Sequence, residues 1–223
     1  MKAGNCSYGC ANDVPSVIPV FPLPEALLLP RADMPLNIFE PRYLAMIDAA
    51  MSGNRIVGMV QIDEAAPICA KGPGLRKIGC AGRIVSYAET GDGRYMITLT
   101  GIARFKIVEE MPQQTPFRLC RVTAEPFAVD FDTADQPINR SAVLRAFHDY
   151  LCAHDLDADW ESVGRASNET LVNALAMMAP FCAAEKQALL EAPDLRARAE
   201  TLVAIAEMAL PRGSAGGQGT TLQ

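Results

Sequence analysis

Long apolar runs, excess basic charge and histidine are all scarce in this chain of 223 residues, and each scarcity excludes a class of function. No stretch approaches the roughly 20 apolar residues that a membrane-spanning helix needs. Behind Lys2, the residues Asn5, Ser7, Asn12 and Asp13 interrupt every window in which an export signal would need an apolar core. A soluble, cytoplasmic protein is the expectation. The formal net charge of −6 provides no overall basic field, which argues against nucleic acid or an anionic membrane as the partner. No G-x-x-x-x-G-K-[ST] loop occurs, so no phosphate cradle for ATP is expected, and no cofactor. The seven cysteines are odd in number and irregularly spaced, in a chain large enough to fold without staples, so they read as reduced thiols.

What is present is globular composition, half apolar and 21% charged. The segment from Pro19 to Tyr43 is apolar yet punctuated by Pro19, Pro22, Pro24, Pro30 and Pro35, which suit strand ends, edges and turns because proline fixes φ and lacks the backbone donor. Pro41 fits the first position of a helix, with Glu40 as an imperfect cap and Tyr43, Met46, Ile47, Ala50 and Met51 at helical spacing behind it.

The hydrophobic period changes partway along the chain, from mostly two before about Phe127 to mostly 3.6 from Asn139 to Leu210. In the first part, strands are predicted over Arg55–Ile62, Lys77–Ala88, Arg94–Thr100, Ile102–Val108 and Phe117–Val122. Glu89 to Gly93 turns a hairpin, Gly101 breaks a run, and Cys69 to Gly74 forms a loop. In the second part, helices are predicted over Asn139–Ala153, along the Leu171–Met178 stripe ended by Pro180, over Ala184–Glu191, and from an Asp194 cap to Leu210. The fold class is therefore α+β, a β-rich barrel or rolled sheet followed by a helical bundle. The divisions are a flexible N-terminus at 1–16, a β domain with one inserted helix at 17–128, a polar linker over Asp130–Pro137, the bundle at 138–210 and a flexible tail at 211–223.

Three stretches carry a family resemblance: VFPLPEALLLPRADMPLNIFEPRY at 20–43, IGCAGRIVSYAETGDGRYMITLTGIARFKI at 78–107, and LVNALAMMAPFCAAEKQALLEAPDLRARAETL at 171–202. They resemble the N-terminal substrate-binding domain of the Lon ATP-dependent protease, and more closely the free-standing bacterial proteins made of that domain alone. The resemblance implies a PUA-like β pseudobarrel followed by a helical bundle, and a role in recognising polypeptide. It also implies a cap at the position of Cys182, where the family usually has aspartate or serine; its loss costs about 1 kcal/mol. Neither the motor nor the serine-lysine peptidase of full-length Lon is represented. Gly213-Ser214-Ala215-Gly216 echoes the peptidase loop, but the last lysine is Lys186 and none follows Ser214 to act as base.

Each remaining candidate residue has a structural and a functional reading. Cys6 and Cys10 lack the second ligand pair that structural zinc needs. His148 and Cys152 share a helix face at ligand spacing, and equally suit a solvent-edge histidine beside a small thiol; His154 points elsewhere. Trp160, the single tryptophan, suits packing between helices. Phe39, Glu40, Arg42 and Tyr43 start a helix and could also wall a peptide groove. Arg83, Arg94 and Arg104 interrupt apolar strands, either as a basic strip for an acidic peptide or phosphate backbone, or as members of internal ion pairs. The leading expectation is a non-catalytic module that binds unfolded polypeptide or a protein partner in an apolar groove between barrel and bundle. RNA binding on a clustered basic face and an unrecognised hydrolase are the alternatives.

Overall fold

The computed structural model describes residues 1–67, 72–112, 114–132, 136–154 and 160–209. The tail with Ser214, the part of the loop holding Cys69 and Lys71, the middle of the linker and the side chain of Trp160 lie outside the described residues. Among those described, the chain opens with β1 (Lys2–Ala3) and β2 (Cys6–Ser7). It continues through β3 (Val17–Pro22), β4 (Asp33–Ile38), α1 (Pro41–Met51), β5 (Ile56–Val60), a short β6 (Ile62–Asp63) and β7 (Gly74–Leu75) ribbon, β8 (Ile78–Glu89), β9 (Tyr95–Glu110) and β10 (Arg118–Thr123). The helices α2 (Arg140–Ala153), α3 (Trp160–Arg165), α4 (Asn168–Met178), α5 (Ala183–Glu191) and α6 (Leu195–Ala209) follow.

Strands pair in the order β10-β3-β5-β8-β9, and β10 also pairs with β9, so the sheet closes into a five-stranded barrel. Only the β3–β5 pairing within it is parallel. The barrel explains why β5 is buried at every residue. Ile56 and Val60 face an interior shared with Ile18, Ile102 and Phe105, whereas Val57 and Met59 face outward into a second core built with the helices. Gly58 completes the inner face, because a side chain there would meet the Phe105 ring at 2.8 Å. The second core runs unbroken from Phe21, Leu28 and Met46 to Val172, Leu189 and Leu202, so barrel and bundle share one apolar mass.

β8 and β9 are longer than the barrel is tall. Their outer halves project from it, and β4 joins β9 there, pairing Asp33 through Ile38 with Thr100 through Tyr95. The result is a three-stranded extension with α1 against one face and solvent on the other. The hairpin turn falls where predicted, with Gly93 at φ 80° and Thr90 N–H donating to Arg94 O.

Four expectations need correction. Gly101 does not end a strand; β9 runs through it, and the glycine is needed because a Cβ there would lie 2.0 Å from Leu29 O. The first sixteen residues are not loose, since Ala3, Tyr8 and Val14 bury themselves over the barrel interior. The stretch before the helices contains a 3-10 segment, Glu125–Phe131, that buries Asp130 instead of leaving it in a solvated linker. Finally, α3 was not anticipated. Helix caps follow the sequence more closely: Asn139 accepts from Ala142 N–H at 3.1 Å, and Asp194 accepts from Ala197 N–H at 2.8 Å. At Cys182 the side-chain oxygen is missing, and Glu185 supplies the reciprocal contact by accepting the Cys182 N–H at 2.8 Å.

Candidate functional site

The predicted residues divide among three regions of the molecule. Phe39, Glu40, Arg42, Tyr43 and Arg94 gather at the outer end of the three-stranded extension. Alternation along β4 turns Ile38 into the core and Phe39 out of it, and Pro41 then starts α1 at once. Phe39 is left 61% exposed on a backbone held from both sides. Just past the last paired position of the extension, the Arg94 guanidinium lies 5.9 Å from the ring centroid and pairs with Asp92 at 2.9 Å. Glu40 makes no side-chain cap; it accepts from Arg42 Nε at 2.9 Å instead.

Tyr43 is not a groove wall. It is 6% exposed, packs 4.1 Å from the Phe21 ring and donates to Pro22 O at 3.4 Å. Burial raises its hydroxyl pKa above the ordinary tyrosine value. One member of this surface was missed in the sequence. Met96 pairs with Asn37 on the same solvent face as Phe39 and is 45% exposed. The signal is present in the sequence, since Met96 is out of phase with the alternating apolar residues Tyr95, Ile97 and Leu99.

Arg83 and Arg104 lie elsewhere, so the three arginines form no strip and the clustered basic face required for RNA is not built from them. Arg83 is buried under the N-terminal hairpin, donating to Asn54 O at 2.7 Å and Asn5 Oδ1 at 3.0 Å. Arg104 points out of the barrel as alternation requires, but the turn between α5 and α6 covers it and leaves it 1% exposed. It grips Asp130 with Nε at 2.9 Å and Nη2 at 2.7 Å, and donates to the carbonyls of Leu190, Ala192 and Pro193.

Around Arg104, the expected apolar groove between barrel and bundle is replaced by a polar cleft of about 200 Å³, lined by Arg31, Asp130, Glu169 and Arg198 among others. Arg31 Nε donates to Glu169 at 2.6 Å. Arg198 donates to Leu189 O at 3.0 Å and Asn173 Oδ1 at 3.1 Å, and Asn173 in turn donates to Pro30 O at 3.0 Å. Burial first, then the charge of Arg104, brings the Arg198 pKa down to about 10. The cleft's charged groups thus satisfy one another across the junction, beside the apolar core that the two halves share.

Catalytic and metal-binding arrangements fare as follows. His148 and Cys152 do meet, but the sulfur is 3.8 Å from Nδ1 and 3.9 Å from Nε2, almost equidistant. It therefore rests against the ring and is not aligned with one nitrogen, unlike a nucleophile beside its base. Cys80 is fully buried, and burial raises its thiol pKa, the opposite of activation. Among the described residues, no group of three or more His, Cys, Asp or Glu side chains comes together to hold a metal, and no helix is long and apolar enough to cross a membrane.

Comparison with known proteins places this architecture in a lineage. The chain is 27% identical over 192 residues to Lon protease 2 of Myxococcus xanthus, a match covering 84% of this chain and 23% of the relative. It is 25% identical over 202 residues to the Lon protease of Syntrophus aciditrophicus, covering 86% of this chain and 25% of the relative. The chain thus spans about a quarter of the length of these relatives. Two solved structures share the fold. A Lon N-terminal domain protein from Xanthomonas campestris matches with a TM-score of 0.60 at 21% identity, over 87% of this chain and 99% of that one. The N-terminal domain of Mycobacterium avium complex Lon protease matches with a TM-score of 0.62 at 17% identity, over 87% of this chain and 100% of that one. A family model described as the ATP-dependent protease La (LON) substrate-binding domain matches residues 17–207, and the chain belongs to that family.

Proposed function

We propose that this chain is a non-catalytic module that holds exposed polypeptide segments in the service of proteolysis or protein quality control, and that its contact surface is the solvent face of the three-stranded extension around Phe39. One observation carries the reading: a large aromatic side chain is fixed in water at 61% exposure, with Met96 on the same face and Arg94 over the ring. Rigid aromatics with a cation beside them are the side chains that dominate recognition surfaces, because little conformational entropy is lost when they are covered. Membership of a family described as substrate-binding agrees with this reading. The charges flanking the surface are paired within the chain, so the segment it suits is apolar.

The test is titration of the protein with a permanently unfolded, carboxymethylated protein, followed by fluorescence anisotropy. Saturable binding is expected, and Phe39→Ala should weaken it about tenfold while leaving the melting temperature unchanged. Binding no stronger than that of an inert protein of equal net charge would sink the proposal.

A further inference from the structure

The strand that carries Phe39 is also the open edge of the sheet. β4 is last in the strand order, paired on one side with β9. Gly101 N–H donates to Ala32 O at 2.9 Å, and that contact opens the ladder. From it the two-residue alternation sends the backbone groups of Met34, Leu36 and Ile38 toward β9, and those of Asp33, Pro35 and Asn37 away from it. Among the described residues, the outward groups of these three have no hydrogen-bond partner. The side chains of all three are exposed. Pro35 therefore costs the ladder nothing, since its missing N–H falls on the open side. The edge that remains offers donors at Asp33 and Asn37, and acceptors at Asp33, Pro35 and Asn37.

We propose that β4 binds its polypeptide by strand addition, the bound segment lying extended along Asp33–Asn37 and passing Phe39. This deepens the function proposed above and rests on it. Unpaired backbone donors and acceptors at strand spacing are complemented by another extended backbone. Charge defines the segment further. Every charged side chain flanking the edge already has a partner in the chain: Arg31 with Glu169, Arg42 with Glu40, Arg94 with Asp92, and Asp33 with the Thr100 hydroxyl. The arginines are neutralised within the chain, and Asp33 keeps its negative charge beside the Thr100 hydroxyl, so an acidic segment would find no counterion there. The half-buried Met34 and Leu36 lie on one face of the edge, and the exposed Phe39 and Met96 on the other. The matching occupant is therefore a segment free of acidic side chains, with apolar residues at alternate positions. Pro35 interrupts the row of outward donors, so pairing through edge N–H groups is confined to Asp33 and Asn37 on either side of it.

The experiment uses the full chain and a fluorescein-labelled octapeptide that alternates leucine and threonine between terminal lysines, together with two versions N-methylated at one or the other alternating set of amides. Strand addition predicts that one methylated set abolishes binding and the other is tolerated, because only every second residue of the peptide turns its amide to the edge. Asn37→Pro removes an outward donor and no ladder bond, so it should weaken the unmethylated peptide about tenfold with the fold intact. If Asn37→Pro fails to fold, the methylated peptides decide alone. Equal binding of all three peptides would mean recognition through side chains, overturning strand addition while leaving polypeptide binding in place. If neither the octapeptides nor the carboxymethylated protein bind, polypeptide binding itself fails and takes strand addition with it. Dimerisation of the chain at the titration concentrations, abolished by Asn37→Pro, would assign the edge to a second copy and overturn the proposal.

Discussion

Arginine and carboxylate side chains meet in two regions of this molecule, with opposite consequences. In the cleft between barrel and bundle, Arg104 and Asp130 are almost wholly buried, and two carboxylate oxygens and three carbonyls satisfy the guanidinium. At the end of the three-stranded extension, Arg94 with Asp92 and Arg42 with Glu40 sit half in water. A buried pair cannot lose one member without stranding the other in a low dielectric, whereas an exposed pair loses little because water replaces the partner. The first region is therefore scaffold and the second is free to make contacts. Residue type alone does not distinguish them.

The comparison breaks most visibly at Asp130. Asp130→Ala leaves Arg104 charged and buried, and should cost about 3–5 kcal/mol in urea denaturation; a loss below that of an ordinary surface substitution would show that the cleft is not scaffold. Next comes the contrast across the start of α1. Tyr43→Ala removes a buried ring and should cost about 3 kcal/mol. Phe39→Ala, four residues earlier, should change stability by less than about 0.5 kcal/mol. Thermal melts of the two variants side by side measure the difference directly.

A smaller effect concerns alkaline pH. Burial raises the hydroxyl pKa values of Tyr8, Tyr43 and Tyr150 above the usual 10.0, so above that pH the unfolded chain releases protons that the folded chain still holds. The stability these groups contribute is complete below pH 10 and falls as pH rises beyond it. Arg198, depressed to about 10, acts in the opposite sense, because the folded chain sheds its proton first. Tyr43→Phe should flatten the alkaline loss in denaturation curves collected across pH. The smallest effect is expected for Arg42→Ala, which should leave the melting temperature within measurement error.

How much was legible beforehand follows the range of the interactions involved. The α1 start was readable from Pro41 and the α6 start from the Asp194 cap, because such signals act within one turn, and the helix predicted from Asn139 begins with that residue as its cap. The switch from period two to period 3.6 gave the order of the two halves. Arg104 shows where such reading stops. Alternation with Ala103 and Phe105 puts it outside the barrel, yet nothing local says that the α5–α6 turn, some 86 to 89 residues away, would close over it. The N-terminal hairpin failed for the same reason: its polar residues hid Ala3, Tyr8 and Val14, whose burial depends on the barrel end they cover. Phe39 was named from its motif, and its exposure was learned only from the sheet.

By itself the amino-acid sequence determined the long barrel strands, most of the helices, the fold class and the family, since hydrophobic period, proline placement and helix caps act over a few residues and survive without tertiary context. Only the tertiary structure decided which charges are buried, that a polar cleft lies beside the apolar core shared by barrel and bundle, and that β4 has an open side. Burial and edge status are properties of what lies next to a residue in space, and the residues that set them here are far apart along the chain.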